Sequence, residues 1–184
     1  EKSEKAMLCA LDIAPSHRYV LRSAARLFAH MGEPDHAVYA LKKSGRVLRD
    51  PWLLSAEIAL HSVMQKSSSS IKSAQSMLEA RAEAPRHLAE LAAAMGSLEH
   101  KNGRSKHAKR LFSQSLEDPN ENSVAQVLHV AQNDVSIKVP EQLLNRPHTF
   151  EAMARFAFAN GQYEKSLHQF TRWLIDEPFD VRPA

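Results

Sequence analysis

Four prolines divide the first two thirds of this chain at a nearly constant interval: Pro15, Pro51, Pro85 and Pro119, separated by 36, 34 and 34 residues. A fixed period of that size marks a repeat array. Each unit is a supersecondary motif too thin to bury its own apolar stripes, so units must stack. The 184 residues leave room for four to five units of about 34 residues each. Only 5 glycines, 7% aromatic residues and many Ala, Leu, Lys, Glu and Arg favour helix over strand. No run of alternating Val, Ile and Thr argues for a sheet.

The periodicity divides the chain into units at about 1–15, 16–51, 52–85, 86–119, 120–147 and 148–178. Glu1–Pro15 carries Ala6, Met7, Ala10, Leu11, Ile13 and Ala14 at helical spacing and reads as the second helix of a repeat whose first helix is not part of the chain. In 16–51 a stripe of Tyr19, Val20, Ala24, Leu27, Phe28 and Met31 leads into the turn Gly32-Glu33-Pro34-Asp35. A second helix then carries Ala37, Val38, Leu41, Val47 and Leu48, and Pro51 ends the unit.

In 52–85 a stripe of Trp52, Leu53, Ala56, Ile58, Ala59, Leu60 and Val63 leads into the turn Ser67–Ser70, with one serine expected to cap the following helix. In 86–119 the turn is Asn102-Gly103. The unit 120–147 is irregular: a helix over about 122–133, a non-helical Val135–Val139, and a short helix over 140–144. The last unit runs from Phe150 through Asn160-Gly161 to Trp173 and Pro178. The stop at Ala184, close to a repeat boundary, predicts a longer parent protein.

These residues resemble the tetratricopeptide repeat (TPR) family. The match is carried by Asn160-Gly161-x-Tyr163 with Ser166, Phe170, Leu174 and Pro178. It recurs in Phe28, Gly32, Ala37, Leu41 and Pro51, and in Met95, Gly96, Gly103, Ala108, Phe112, Leu116 and Pro119. Ala10-Leu11-x-Ile13-x-Pro15 resembles the end of a repeat. The resemblance covers nearly the whole chain except about Val135–Arg146. It implies an all-α, right-handed solenoid of stacked antiparallel helical hairpins. Ala24, Ala37, Gly96 and Ala108 would let helices approach, and Phe28, Phe112, Phe170 and Trp173 would fill the space between hairpins.

Little in the sequence points to catalysis. No Walker-type loop, Gly-x-Gly-x-x-Gly or Gly-x-Ser-x-Gly is present. The 10 histidines include no pair three or four residues apart, the spacing by which one helix face grips a metal. Cys9 is the single cysteine, which excludes a disulfide within the chain; it is expected in the core. The expectation is therefore no enzyme, no metal and no cofactor. No apolar stretch approaches the about 20 residues of a membrane span. A lone cysteine without a signal peptide is compatible with the cytoplasm.

In TPR proteins the first helices line a concave groove that holds a peptide or a partner's helix. The resemblance places Tyr19, Arg22, Arg26 and His30 in that groove, with Ser23. From the later units it adds His100 and Lys101, with Glu90, Ala94 and Ser97, and then His148 and Arg155, with Glu151 and Phe158. The unit after Pro51 has no clear register. Arg22, Arg26, Lys101 and Arg155 outnumber Glu90 and Glu151, so the expected partner is another protein or peptide, acidic or carboxylate-bearing. The fixed Lys/Asn set that grips chaperone C-termini is absent.

An RNA-binding repeat is one alternative, but base readers place matching polar residues at one site per repeat. Here the equivalent sites hold Arg26, Ser97 and Arg155. The net charge of +3, without a long basic run, also disfavours nucleic acid. A structural or oligomerising module is the other alternative. The irregular 135–146 is a second candidate binding segment.

Overall fold

The computed structural model describes residues 2–144 and 150–176, and every regular element among them is helical. The chain runs α1 (Lys2–Ile13), α2 (Arg18–His30), α3 (Pro34–Lys43), α4 (Pro51–Val63), α5 (Ile71–Ala80) and α6 (Pro85–Lys101). It continues through α7 (Ser105–Ser115), α8 (Glu121–Ala131), α9 (Glu141–Leu144), α10 (Phe150–Ala159) and α11 (Tyr163–Asp176). Helices α2, α4, α6, α8 and α10 form a row in which each touches the next. Helices α3, α5, α7 and α11 each fold back on the member of the row before them, and α1 lies against α2.

The interior is deepest at α4 and α6. Leu53, Leu54, Ala56, Ile58 and Leu60 of α4 are buried together with Leu88, Leu91, Ala92 and Met95 of α6. Phe112 of α7 sits against Ala93, Ala108 and Val127, and Ile137 from the loop after α8 joins the same cluster. That loop is the irregular segment read from the sequence. Its chain is not helical, yet Ile137 occupies core space while Val135 stays in solvent. Phe28, Phe112 and Trp173 fill the core as the sequence indicated, whereas Phe170 is only partly buried.

The turns inside the hairpins share one device. Gly32, Gly103 and Gly161 have φ of +78°, +75° and +71°. In each case the next amide reaches back to the helix: Glu33 N to Phe28 O at 2.8 Å, Arg104 N to Glu99 O at 2.9 Å, and Gln162 N to Ala157 O at 2.9 Å. This is the left-handed cap that satisfies the last carbonyls of a helix. After α4 the same place is held by Gln65, with φ +56° and Lys66 N bonded to His61 O at 2.9 Å.

Several expectations need correction. Pro51 and Pro85 do not stop the preceding helices; each stands in the first turn of the next one, as does Pro34. A proline's missing N–H costs nothing there and its fixed φ suits helix entry. The second helix of unit 16–51 ends at Lys43, because Gly45 at φ +67° turns the chain before a 3₁₀ turn over Val47–Arg49, and Leu48 is exposed. Ser70 precedes α5 without a side-chain cap bond; instead Ser68 Oγ accepts from Ser70 N and donates to buried Glu57 at 2.7 Å. Cys9 is exposed, because α1 turns only Met7 and Leu11 toward the core. Ile13 and Val63, both read into apolar stripes, are also exposed. His148, Pro147 and Pro178 lie outside the described residues.

Candidate partner-binding face

Two helices of the row, α4 and α8, are started by a capping side chain. Asp50 starts α4 by accepting from Trp52 N and Leu53 N at 3.0 and 3.4 Å. Asn120 starts α8 with a reciprocal capping box to Ser123. Such caps satisfy amides that the helix itself cannot. They fix the rotation of α4 and α8, so that Trp52 and Asn122 turn toward α2 and α6.

At this end the structure brings Tyr19 and Arg22 around Trp52. The Tyr19 and Trp52 rings meet edge-on at 5.1 Å, and the Arg18 and Arg22 guanidinium carbons lie 5.0 and 5.2 Å from the indole centroid. Glu90, buried on α6, collects four donors. Arg22 Nη2 donates to Oε2, while Trp52 Nε1, Asn120 Nδ2 and Asn122 Nδ2 donate to Oε1 at 3.0, 2.8 and 3.2 Å. Arg22 also donates to Trp52 O at 2.7 Å and Ser55 Oγ at 3.0 Å. One ion pair therefore ties α2 to α6 across α4. Burial lowers the Arg22 pKa, Glu90 opposes that shift, and neighbouring Arg26 adds to it.

The charge of Arg22 is thus matched inside the chain. Arg155 is likewise matched by Glu151, with Nε to Oε1 at 3.0 Å. Arg26 and Lys101 reach neutral acceptors: Asn122 Oδ1 at 3.5 Å and Ser62 O at 3.1 Å. The positive character expected of the groove rests on these two.

Toward the C-terminal ends of the same helices lies a cavity of about 430 Å³. Ser62 and Val63 of α4, Ala94, Ser97, His100 and Lys101 of α6, Gln126 and His129 of α8, and Asn133 just after it contribute to its wall. Among the described residues no carboxylate lines it. His100 Nε2 lies 3.1 Å from Asp134 Oδ2. Bonds from the Ser136 hydroxyl and amide, then from His100, hold the Asp134 carboxyl below its ordinary value. His30, at the end of α2, is exposed and does not line this cavity. A second cleft lies between α8 and α10, where Leu128, Ala152, Phe156, Phe158 and Phe170 meet Arg155 and His129.

Trp52, Ser55, Asn120, Asn122 and His129 were not among the groove residues read from the sequence. Asp50, a residue type that starts helices, is the signal that would have set the missing register of the unit after Pro51, as Asn120 does for α8. Among the described residues no group of three or more His, Cys, Asp or Glu is arranged to hold a metal ion, and no helix is long and apolar enough to cross a membrane. No family model, no curated protein and no solved structure matches this chain.

Proposed function

We propose that this chain is a TPR-like array, a right-handed solenoid of helical hairpins, that holds a peptide or partner segment along its first helices and performs no catalysis. One observation supports the reading above the others. The cavity across α4, α6 and α8 crosses three successive members of the row, and its lining among the described residues carries Lys101, His129 and a His100 already paired to Asp134, with no carboxylate. A wall of that kind favours a ligand bearing carboxylates, because charge complementarity sets partner choice and association rate. Rigid first helices held by the Arg22–Glu90 pair lower the ordering cost of binding.

The test is fluorescence anisotropy of labelled twelve-residue peptides, acidic, neutral and basic, against the full chain and a Lys101→Glu variant shown by circular dichroism to be folded. Binding of the acidic set that weakens with Lys101→Glu is the expected result. Equal binding of all three sets, or none, would overturn the reading. A labelled single-stranded RNA in the same assay, bound with steep salt dependence, would favour the nucleic-acid alternative instead.

A further inference from the structure

We infer that the segment held in this groove, on the reading proposed above, carries a bulky apolar side chain beside its acidic residues, seated in the cleft between α8 and α10. That cleft has a volume of about 440 Å³. It is walled by Leu128 and Ala125 of α8, Ala152 and Phe156 of α10, and Phe170 of α11, with Phe158 at its side. Phe158 is 62% exposed, an unusual state for a phenylalanine on an ordered helix. The rest of that wall is apolar apart from His129, Gln132 and Arg155. A site with mostly apolar walls and a few polar groups at its edge takes an apolar group and orients it by the polar ones.

The cleft is not isolated. His129 of α8 lines both it and the cavity across α4, α6 and α8, so the two open on the same side of that helix. Among the described residues neither wall contains a carboxylate. Together they offer the Lys101 ammonium to an acidic residue and aromatic carbon to one apolar residue, with Arg155 already paired to Glu151 and His100 to Asp134. Neighbouring helix axes lie about 8–10 Å apart, and extended chain advances about 3.3 Å per residue. Lys101 on α6 is about one and a half helix spacings from the cleft between α8 and α10, or about four residues of extended peptide. The recognised segment therefore places an aromatic or large aliphatic residue about four positions from an acidic one. A shallow cleft that takes one side chain is the arrangement in which a single anchor dominates affinity.

The experiment is selection of a displayed library of random twelve-residue peptides on the full chain. Anisotropy then compares the consensus peptide with a copy in which its apolar residue is Ser. The expected consensus pairs acidic residues with one apolar residue at that spacing. The Ser copy should bind roughly tenfold more weakly or worse, since it gives up the burial of one large side chain. Ala159→Phe and Gln132→Trp, both at exposed positions of the cleft wall, should each weaken the consensus peptide while leaving the Ser copy unchanged.

An acidic consensus without an apolar position, or a Ser copy that binds equally well, overturns this inference and leaves the groove reading standing. A basic consensus, or no enrichment at all, overturns both. The two cleft variants act independently, so a folding defect in one still leaves the other to decide.

Discussion

A Cβ built on Gly96 would lie 2.6 Å from Cε1 of Phe112, closer than real contacts allow. The ring of α7 thus fills the space above α6 that any other residue at 96 would occupy. Phe112 cannot yield easily, because Ala93, Ala108, Val127 and Ile137 hold it from other sides. Gly96→Ala gains about 1 kcal/mol of helix propensity but forces the ring out of a close-packed site. Overpacking of this kind costs about 1–3 kcal/mol, so we expect a net loss of stability on urea denaturation. Phe112→Leu in the same background should recover part of the Gly96→Ala loss. If Gly96→Ala melts above the wild type, the close approach is not a constraint.

Gln65 holds the left-handed position that glycine holds in the other three hairpins. A residue with a Cβ is disfavoured there by about 1–2 kcal/mol, and glycine removes that strain at the cost of a more flexible unfolded chain. Gln65→Gly should therefore stabilise the protein by about 0.5–1 kcal/mol, seen as a small rise in Tm by calorimetry. The opposite change, Gly103→Ala, meets open space around its Cβ but a φ of +75°, so it should lower Tm through backbone strain alone. A fall in Tm for Gln65→Gly would mean that the Gln65 side chain makes a contribution the backbone argument omits.

The Arg22–Glu90 pair is a structural tie rather than a free site. Their side chains are 17% and 6% exposed, and breaking a pair this buried leaves a charge without its partner. Glu90→Ala and Arg22→Ala should each cost about 3 kcal/mol by urea denaturation, and the double variant less than the sum. Exposed Arg26→Ala should stay within about 0.5 kcal/mol of wild type. Charge-reversal tests of the proposed groove therefore belong at Arg26 and Lys101, since Arg22→Glu would set a second carboxylate beside Glu90. Additive losses for Arg22 and Glu90 would show that the two act separately.

The succession of helices was legible because its cause is local. Prolines and turn glycines recur at a fixed interval, and apolar residues follow the 3.6-residue period. The polarity of those signals was harder to read. A proline before a helix and a proline after one look alike in a sequence, and only the missing N–H, harmless at helix entry, decides for entry at Pro51 and Pro85.

The site was less legible, because its partners come from helices far apart in the sequence. Arg22 and Glu90 stand 68 residues apart, and no local pattern announces their pairing. Trp52 was read as one of an apolar stripe, yet its indole N–H turns it toward Glu90. Cys9 followed the apolar pattern of α1, but α1 covers only one side of α2, and a stripe without a second neighbour stays in solvent.

Glu99 supplies a pH-dependent contribution to stability. Its side chain is 1% exposed at the end of α6, and that burial by itself pushes the carboxyl up. Hydrogen bonds from Arg104 and from His107 outweigh burial, so the folded-state value lies below the ordinary 4.5. A carboxyl held lower in the folded state binds fewer protons there than in the unfolded chain. Its stabilisation is therefore fully present above the unfolded value and is lost as pH falls through the folded one.

Replacing the carboxylate by Glu99→Gln removes this linkage while keeping the shape of the side chain. The gap in unfolding free energy between wild type and variant should be widest near neutral pH and should shrink as pH falls from about 5 toward 3. Arg104→Gln should shrink the same gap from the other side by taking away the donor that Glu99 holds most directly. Urea denaturation of the three proteins across that range measures it. A gap that stays constant from neutral to acid would mean that Glu99 titrates alike in the folded and unfolded chains, and that the contact joining the end of α6 to the start of α7 adds no charge-dependent stability.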